Sequence, residues 1–592
     1  MANFYTDNPD LKFQLSHPLM DRIVNLREDG FKDYGVYDYA PENTADALDS
    51  YDKVMEVFGE ICADVLDVNA AEVDAIGAKC ENGKVTYAPG TVENQKALID
   101  AGMYGMSLPR QYGGLNFSIV PYIMAAELTA RADASFSNIW GLQDCAETIN
   151  EFASQEIRDE FLPRIPNGAS CSMDLTEPDA GSDLQSVTLR ADWSEEKQMW
   201  LLNGVKRFIT NGNADIKLVL ARSEEGTKDG RGLSYFVHDR AWGGVTVRRI
   251  ENKLGIKGSP TCELAFKDAP AKIVGERKLG LIKYVMSLMN GARLGIGAQS
   301  VGISEAAYRT ALKYANEREQ FGHKIIEFAP VYQMLSNMKA RLQASRAALY
   351  ETGRYVDIYK SLAAKMERTK LSPEEKSEYK QYSKKADMLT PILKMFSSEY
   401  CNRDTYDAIQ IHGGSGYMKE YPAERLYRDA RITSIYEGTS QLQVIAAIRY
   451  VTTGAYSALI KEYDESVCRT VSEMRNGEFD SKSKDWLLSN IGFISEIREK
   501  LVKCTEQFAQ VLEFCNGKDK EFIDYHSRSL VEMAGNLLLS YLLLLEAVRN
   551  ADMMLSARLY STQTEAENQK HASMIMSLDL DGINAIKLNY NK

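Results

Sequence analysis

The chain of 592 residues has few cysteines and histidines, and none of them is spaced as a metal ligand pair. Its nine cysteines include no CxxC pair, and its six histidines form no HExxH motif. Structural zinc sites need such closely spaced ligands, and disulfide-built domains need many more cysteines for their size. We therefore expect reduced, mostly buried thiols in a cytoplasmic protein, and no bound metal.

The sequence also lacks the segments that direct a chain to a membrane or out of the cell. Residues 1–10 contain neither a basic nor an apolar segment, so we expect no secretory signal. The most apolar run, residues 537–545, is nine residues long, whereas a membrane-spanning helix needs about 20. We interpret this run as part of a buried helix and expect no membrane association.

Positive charge is in deficit, because 70 Lys and Arg oppose 83 Asp and Glu for a net charge of −13. An acidic chain is a poor candidate for holding nucleic acid through its phosphates. The GxGxxG and GxxxxGK[ST] patterns are also missing, so neither a nicotinamide-binding Rossmann unit nor a P-loop is expected. Hydrophobic residues make up 44%, enough for a large globular core.

The patterning of apolar residues predicts a mainly α-helical protein with a central antiparallel β domain. Strand-like runs follow one another at short spacing in the middle of the chain, and helical periodicity flanks them on both sides. The predicted organisation is an N-terminal extension (1–41), an N-terminal helical domain (42–165), a middle β domain (166–278), a helical bundle domain (279–455) and a C-terminal helical domain (456–592).

The segment TEPDAGSD, residues 176–183, lies at the entry to the predicted β domain. Pro178, Gly181 and Ser182 favour a tight turn, whose backbone N–H groups can receive an anionic oxygen. An ordinary surface turn is the alternative interpretation of so short a segment.

The segment NGVKRFITNG follows inside the same domain. Its Asn203-Gly204 dipeptide predicts a hairpin turn. Phe208 and Thr210 alternate on one face of the predicted strand, and Ile209 faces the other. An aromatic ring beside a hydroxyl can support a flat ligand and donate to one of its heteroatoms, although an ordinary half-buried strand has the same pattern.

Two later segments carry groups suited to phosphates. Arg318 ends a long predicted helix, and its planar guanidinium can bond two phosphate oxygens. QIHGGSG, residues 410–416, contains Gly413 and Gly414, which allow a ligand to approach the backbone closely. The alternatives are a cation at a helix end and a helix terminus followed by a loop.

Glu437 is the candidate for acid–base chemistry. It lies in the segment IYEGTSQ, and most residues of the preceding stretch, 431–436, are apolar or small. A lone Glu before Gly is usually a solvated loop residue. If it is desolvated, its pKa rises towards neutrality, where a carboxylate serves as a general base.

In this order, the segments resemble the acyl-CoA dehydrogenase family. The similarity spans residues 45–452 and includes KLGIKGSPTCELAF (253–266) and EREQFG (317–322). The extensions at 1–41 and 456–592 look like those of longer bacterial members. The resemblance implies the family's helical, β-barrel and four-helix-bundle architecture, with an extra C-terminal helical domain.

The resemblance also implies a cofactor, FAD, bound non-covalently between the β domain and the C-terminal helices. The residues that match FAD contacts are Thr176, Ser182, Phe208, Thr210, Arg318, Phe321, Gln410, Gly413, Gly414, Thr439 and Gln441. At Phe208 many members have Trp, so this position is a mild departure. The matches at Arg318 and in the Gly-rich segment reach the cofactor of a neighbouring subunit, which implies at least a dimer.

The activity that follows is α,β-dehydrogenation of an acyl-CoA thioester to a trans-2-enoyl-CoA, as in fatty acid β-oxidation. Glu437 matches the base that takes the α-proton while the β-hydride leaves to flavin N5. The family's base also donates its own backbone N–H to the thioester carbonyl, which stabilises the developing enolate. Electrons then pass to an electron-transferring flavoprotein. The residues assigned to the acyl-CoA substrate are Ser182, Arg293, Gly438 and Arg449.

The sequence leaves alternatives open for the activity and for the role of the C-terminal block. Some members place the base directly before an Arg on the long helix, but here Ala292 precedes Arg293 and cannot act as a base. An acyl-CoA oxidase or a non-redox acyl-CoA lyase on the same scaffold is a rival, although a lyase often lacks the base. A non-catalytic helical assembly protein would be expected to lose Glu437 or Arg318. Residues 456–592 are expected to cover the surface used for tetramer assembly and leave a homodimer, and docking on a membrane is the alternative role for this block. No pattern reports the acyl chain length.

Overall fold

The computed structural model describes residues 3–476 and 481–590. The chain divides into two compact units. The first consists of Met1–Ala306, Gly353–Ser383 and Met418–Thr433. The second consists of Ala307–Thr352, Lys384–Tyr417 and Ser434–Lys592.

The secondary structure confirms the predicted fold class, mainly α with a central β domain. The helices are α1 (Pro9–Leu15), α2 (Leu19–Glu28), α3 (Thr44–Ile61), α4 (Asp67–Ile76), α5 (Pro89–Asp100), α6 (Ile119–Ala132), α7 (Ala134–Trp140), α8 (Cys145–Phe152), α9 (Gln155–Phe161), α10 (Met286–Glu317), α11 (Ala329–Arg368), α12 (Pro373–His412), α13 (Pro422–Ala430), α14 (Ser440–Thr452), α15 (Ala455–Arg475), α16 (Ser481–Cys515), α17 (Lys520–Arg549), α18 (Met554–Ser577) and α19 (Leu580–Tyr590). The strands are β1 (Lys79–Glu81), β2 (Lys84–Thr86), β3 (Cys171–Asp174), β4 (Arg190–Ser194), β5 (Met199–Thr210), β6 (Ile216–Arg222), β7 (Leu233–Asp239), β8 (Val245–Ile250), β9 (Thr261–Ile273), β10 (Glu319–Gln320) and β11 (His323–Lys324).

The β domain of the first unit is a seven-stranded sheet in the order β3-β6-β4-β5-β9-β7, with β8 paired to β9. An additional pairing of β6 with β7 closes this order into a ring. The domain is antiparallel, as predicted, at most of its pairings, but β3 and β4 both run parallel to β6. The chain makes a long excursion between β3 and β6 and returns in the same direction, which a hairpin connection does not allow.

The two faces of this sheet contribute to two separate cores. Leu218 and Leu220 of β6 lie in a core shared with α8 and α9, whereas Val219 and Ala221 lie in a core shared with β5 and β9. This alternation follows from the two-residue period of a strand. The strand is apolar on both faces because both are covered.

The Asn203-Gly204 dipeptide does not form the predicted hairpin turn. It lies inside β5, and the turn between β4 and β5 is at residues 195–198. The pairing of β5 with β9 shifts register between Leu202 and Gly204, and Gly204 has φ +146. A Cβ at this position would lie 3.0 Å from Leu189. The glycine therefore allows a bulge at a point where two strands approach each other closely.

The second unit is helical, and α17 lies at its centre, in contact with α14, α15, α16 and α18. The apolar run 537–545 lies in this helix and is buried almost throughout. Among the described residues, α17 is the one helix long and apolar enough to cross a membrane, yet 89% of its most apolar window is buried inside the protein.

The C-terminal block packs against α12 within the second unit. The Tyr400 and Tyr560 hydroxyls lie 2.8 Å apart, and the Tyr456 hydroxyl donates to the Met388 carbonyl at 2.8 Å. The Phe396 ring packs so closely on Gly535 that a Cβ there would meet it at 2.2 Å. Residues beyond 455 are therefore part of the core of this unit.

The cysteines are unpaired and mostly buried, as predicted. All nine cysteines are free, seven are buried, Cys80 is half-buried and Cys468 is exposed. Within the described ranges, no group of three His, Cys, Asp or Glu side chains is placed to hold a metal ion.

Candidate functional site

The candidate site residues divide between the two units. The first unit contains Thr176, Ser182, Phe208, Thr210 and Arg293. The second contains Arg318, Phe321, Gln410, Gly413, Gly414, Glu437, Gly438, Thr439, Gln441 and Arg449.

A buried ion pair anchors the TEPDAGSD loop to strand β5. Lys206 is fully buried, and its Nζ donates to the Leu175 carbonyl at 2.8 Å and to Glu177 Oε1 at 3.0 Å. The Glu177 carboxylate also accepts the backbone N–H groups of Thr188 at 2.8 Å and Leu189 at 2.9 Å. Both ends of the loop are thus held by one carboxylate.

The electrostatics of this pair favour the charged forms near neutral pH. Burial lowers the pKa of Lys206 to about 8, against the opposing effect of Glu177. Burial alone would raise the pKa of Glu177, but the Lys206 charge and the hydrogen bonds from Thr188 and Leu189 hold it below its ordinary value. The loop is therefore fixed by charge-assisted hydrogen bonds.

The outer part of the loop presents polar groups to solvent. The Thr176 carbonyl accepts the Arg207 N–H at 2.9 Å, which fixes the start of the loop against β5. Ser182 is exposed and Thr176 half-buried. Both hydroxyls are therefore accessible to a ligand, to which each can donate a hydrogen bond.

Phe208 lies at an irregularity of β5. The pairing with β9 shifts register between Lys206 and Ile209, and Phe208 has φ +63. Its ring is 51% exposed, whereas the next residue, Ile209, is buried. The Arg207 guanidinium lies 4.6 Å from the ring centroid. The bulge therefore turns a flat aromatic face outward, with half-buried Thr210 two residues further on.

In the second unit, Arg318 follows the end of α10 and starts a small hairpin, β10–β11, rather than ending the helix. Phe321 forms the tip of this hairpin, with φ +54 and 92% exposure. One turn before Arg318, the Tyr314 ring stacks on His412 with centroids 4.3 Å apart, and its hydroxyl donates to Ser415 at 3.2 Å. The Arg318 segment and the Gly-rich segment are thus neighbours.

The Gly-rich segment forms a 3₁₀ turn after the last residue of α12, His412. Gly413 has φ +60, and a Cβ on Gly413 or Gly414 would meet nothing within 4 Å. Gln410, Gly413 and Gly414 are exposed. The backbone here is open to a ligand.

Glu437 lies in a strained turn just before α14. It has φ +53, and Gly438, which follows it, has φ +92. A non-glycine residue in this region costs on the order of 1 kcal/mol and persists where surrounding contacts hold it. Thr439 caps α14, because its hydroxyl oxygen accepts the Leu442 N–H at 3.3 Å. Glu437 itself is half-buried within the chain.

Contacts on both sides fix this turn. The Gly438 carbonyl accepts hydrogen bonds from Lys394 Nζ at 2.7 Å and from Gln443 Nε2 at 3.0 Å. The Ser440 hydroxyl donates to Glu399 at 2.6 Å. Helices α12 and α14 therefore hold the turn between them.

The two candidate CoA arginines differ in their surroundings. Arg293 is half-buried on α10, and its Nη1 donates to Asn290 at 3.3 Å. Arg449 is exposed on α14, and its Nη2 donates to the Tyr450 hydroxyl at 2.6 Å. Gln441, on the first turn of α14, is exposed.

Sequence reasoning missed four residues that shape these sites. They are Glu177, Lys206, Lys394 and Gln443. A signal was present for Lys394, because a single charge inside the apolar stretch 388–396 of a helix requires a buried partner. The sequence contained no such signal for Lys206. Lys206 and Phe208 are two residues apart and would share a face of a regular strand, but the bulge leaves Lys206 buried and Phe208 exposed.

The donor set fits FAD. The first unit offers accessible hydroxyl donors and the outward face of Phe208, which together suit a flat heteroaromatic ring. The second offers the exposed Arg318 guanidinium and the open backbone at Gly413, which suit a pyrophosphate.

The chain matches four domains of one family. They are the N-terminal domain (residues 54–169), middle domain (172–269) and C-terminal domain (282–451) of acyl-CoA dehydrogenase, and a further acyl-CoA dehydrogenase C-terminal segment (492–583). An acyl-CoA dehydrogenase of Bacillus subtilis is 36% identical over 61% of this chain and 89% of its own length. A 3-methylmercaptopropionyl-CoA dehydrogenase of Ruegeria pomeroyi is 31% identical over 73% of this chain and 75% of its own.

Solved structures show the same likeness. Butyryl-CoA dehydrogenase from Megasphaera elsdenii is 29% identical with a TM-score of 0.57 over 67% of this chain and 97% of its own. A chain described with the electron transferring flavoprotein of Acidaminococcus fermentans is also 29% identical, with a TM-score of 0.58 and the same coverage. The FAD complex of an acyl-CoA dehydrogenase from Bacillus anthracis is 23% identical, covers 91% of this chain and 90% of its own, and shares the fold with a TM-score of 0.69.

Matched along most of its length by consecutive domains of one family, the chain belongs to the acyl-CoA dehydrogenases, FAD-dependent oxidoreductases that act on acyl-CoA thioesters.

Proposed function

We propose that the protein converts an acyl-CoA to a trans-2-enoyl-CoA with Glu437 as the catalytic base. The supporting observation is the turn at Glu437 and Gly438, whose strained backbone is held by hydrogen bonds from two helices. The other position that the family uses for a base holds Ala292.

The reaction separates two hydrogens from adjacent carbons. Glu437 takes the α-proton, the electron pair of that C–H bond becomes the new double bond, and the β-hydrogen leaves with its own pair as a hydride. Bound FAD supplies the acceptor for that hydride. The backbone N–H of Glu437 donates to the thioester carbonyl and stabilises charge that develops there.

The proposed substrates are short acyl thioesters. Two similar proteins are described by short acyl groups, butyryl in Megasphaera elsdenii and 3-methylmercaptopropionyl in Ruegeria pomeroyi. The proposed electron acceptor is an electron-transferring flavoprotein, supported by the likeness to the chain described with that of Acidaminococcus fermentans. We propose further that the reaction belongs to fatty acid β-oxidation and takes place in the cytoplasm.

The proposed assembly is a homodimer. Phe321 is 92% exposed at the tip of its hairpin and Tyr417 is 78% exposed after the Gly-rich turn. Large aromatic groups so exposed in one chain favour cover by a second copy. Light scattering on the purified holoenzyme tests this proposal, and a monomeric mass would contradict it.

The decisive experiment is an anaerobic titration of the yellow holoenzyme with a series of saturated acyl-CoAs. We expect butyryl-CoA to bleach the flavin, and Glu437→Gln to slow bleaching by at least about 10³-fold with FAD still bound. The control is Glu513→Gln, at an exposed position of α16. Addition of electron-transferring flavoprotein should restore the oxidised spectrum.

Each remaining outcome changes the proposal. Rapid reoxidation by air with formation of peroxide would identify an acyl-CoA oxidase. A FAD-loaded protein that no acyl-CoA bleaches would contradict the dehydrogenation and favour a non-redox lyase. Equal rates for Glu437→Gln and the wild type would remove Glu437 as the base.

A further inference from the structure

We infer that Lys394, together with Gln443, is a positioning residue for Glu437, because it holds the Gly438 carbonyl and thereby fixes the turn from which the base acts. The inference rests on the proposed role of Glu437 as the base. It assigns a function to a buried lysine on α12.

The burial of Lys394 requires an explanation. The residue is 0% exposed on α12, and its neighbours in the chain, Leu393 and Met395, are each 1% exposed. Removing an ammonium group from water costs several kcal/mol unless hydrogen bonds replace its hydration. Methionine has a similar volume and would fill the same space at a lower cost, so packing alone does not explain a lysine here.

The contact that Lys394 makes is specific. A carbonyl oxygen has two lone pairs, and the Gly438 carbonyl accepts one hydrogen bond from Lys394 Nζ at 2.7 Å and one from Gln443 Nε2 at 3.0 Å. Gln443 is also 0% exposed. The donors come from two different helices, so the peptide group after Gly438 cannot rotate without breaking both bonds.

This restraint acts on the strained part of the turn. Glu437 and Gly438 have φ +53 and +92, and rotation of the adjoining peptide groups is the route by which such a pair relaxes. If Glu437 returned to a negative φ, its carboxylate and its own N–H would both change direction. Both groups act on the same thioester, one on the α-proton and one on the carbonyl, so the turn sets two catalytic contacts at once.

Displacements of about 1 Å in a reacting group can cost 10²-fold in rate. We therefore expect Lys394→Met to lower the rate of α-proton removal by about 10- to 100-fold. Gln443→Met removes the weaker, neutral donor and should have a smaller effect. The matched control is Lys384→Met, which makes the same substitution at an exposed position of α12 and leaves the Gly438 carbonyl bonded.

The test measures proton removal separately from hydride transfer. A 3-thia-acyl-CoA such as 3-thiabutyryl-CoA has acidic α-hydrogens, but its β position is sulfur and carries no hydride. Exchange of its α-hydrogens with D₂O, followed by mass spectrometry on equal amounts of FAD-loaded enzyme, reports the base alone. Amide hydrogen exchange of the peptide covering residues 435–442, in the absence of ligand, reports the turn itself.

The expected result for Lys394→Met is slower α-exchange and faster amide exchange at 435–442, with the FAD content and the half-saturating acyl-CoA concentration unchanged. Lys384→Met should give near wild-type values. Wild-type α-exchange in a folded Lys394→Met protein would overturn the inference. If that variant does not fold, wild-type rates in Gln443→Met would overturn it instead. Failure of the proposed function is distinguishable, because the wild type would then exchange no faster than Glu437→Gln.

Discussion

Lys206 Nζ and Glu177 Oε1 lie 3.0 Å apart inside the β domain, with side-chain exposures of 0% and 5%. Glu177 belongs to the loop that bears Thr176 and Ser182, and Lys206 belongs to the strand that bears Phe208. The pair therefore connects the two segments that carry the predicted FAD contacts of the first unit.

Replacement of Lys206 by methionine should weaken both folding and FAD binding. The substitution leaves the Glu177 carboxylate buried without its partner, which typically costs about 3–5 kcal/mol. We expect a lower free energy of unfolding in urea and loss of flavin during gel filtration. Lys197→Met, on the exposed turn before β5, is the control and should leave both unchanged.

The double variant Lys206→Met/Glu177→Gln tests whether the charge or the volume of the pair matters. Removing both charges leaves no buried ion unpaired, so the double variant should be more stable than Lys206→Met alone. If the losses in free energy of unfolding of the two single variants add up to that of the double variant, the two residues act independently.

His238 should make the β domain less stable in acid. Its Nδ1–H donates to the Pro270 carbonyl at 2.7 Å, and burial lowers its pKa to about 4. Between pH 6.5 and 4 the unfolded chain binds a proton that the folded chain does not, so stability falls as the pH falls through this window. The loss of stability begins near the pKa of His238 in the unfolded chain and ends near its pKa in the folded chain.

The measurement compares His238→Gln with the wild type by denaturant unfolding at pH 7 and pH 5. Glutamine does not titrate, so the advantage of the wild type should shrink by about 2 kcal/mol between the two pH values. A difference that is independent of pH would contradict the buried neutral histidine.

Two glycines should respond to alanine in opposite directions. A Cβ at Gly255 would lie 2.4 Å from the Arg428 carbonyl oxygen, so Gly255→Ala forces backbone apart and should cost about 1–3 kcal/mol. A Cβ at Gly492 meets nothing within 4 Å, and this residue is exposed inside α16. Gly492→Ala should gain about 0.5–1 kcal/mol, as measured by thermal unfolding.

The C-terminal block should be indispensable for folding of the second unit. Deletion of residues 456–592 uncovers the faces of α12 that contact Tyr560 and Gly535, so we expect an insoluble product. A soluble, FAD-loaded truncation product would contradict this expectation.

Tyr560→Phe, which removes one buried hydroxyl contact with Tyr400, should lower the free energy of unfolding in denaturant by about 1–2 kcal/mol. Tyr525→Phe, at a residue that is 46% exposed, is its control.

The parts of the fold that follow from local patterns were predictable from the sequence. Helix α10, for example, follows from an uninterrupted helical periodicity, and the β domain from short runs punctuated by Gly, Asn and Asp. The fold class and family are confirmed, and the roles of Glu437 and the FAD contacts stay predictions.

The errors and omissions share a non-local cause. Asn203-Gly204 has the composition of a turn, but its pairing with β9 makes it a bulge. The bulge before Ile209 then separates Lys206 from Phe208, although a regular strand would place the two side chains on the same face. Lys394 and Gly438 are 44 residues apart, and no periodicity reports a contact at that separation.

Helix α12 sets a limit on how this enzyme can be re-engineered. Lys394, in its middle, holds the turn that contains Glu437, and its end at His412 leads into the Gly-rich turn. At 1.5 Å per residue these points are about 27 Å apart on one rod. A displacement of the helix along its axis would carry both turns with it, so the position of one turn cannot be changed independently of the other. Directed evolution of substrate range should therefore accumulate changes outside α12 and leave its length untouched.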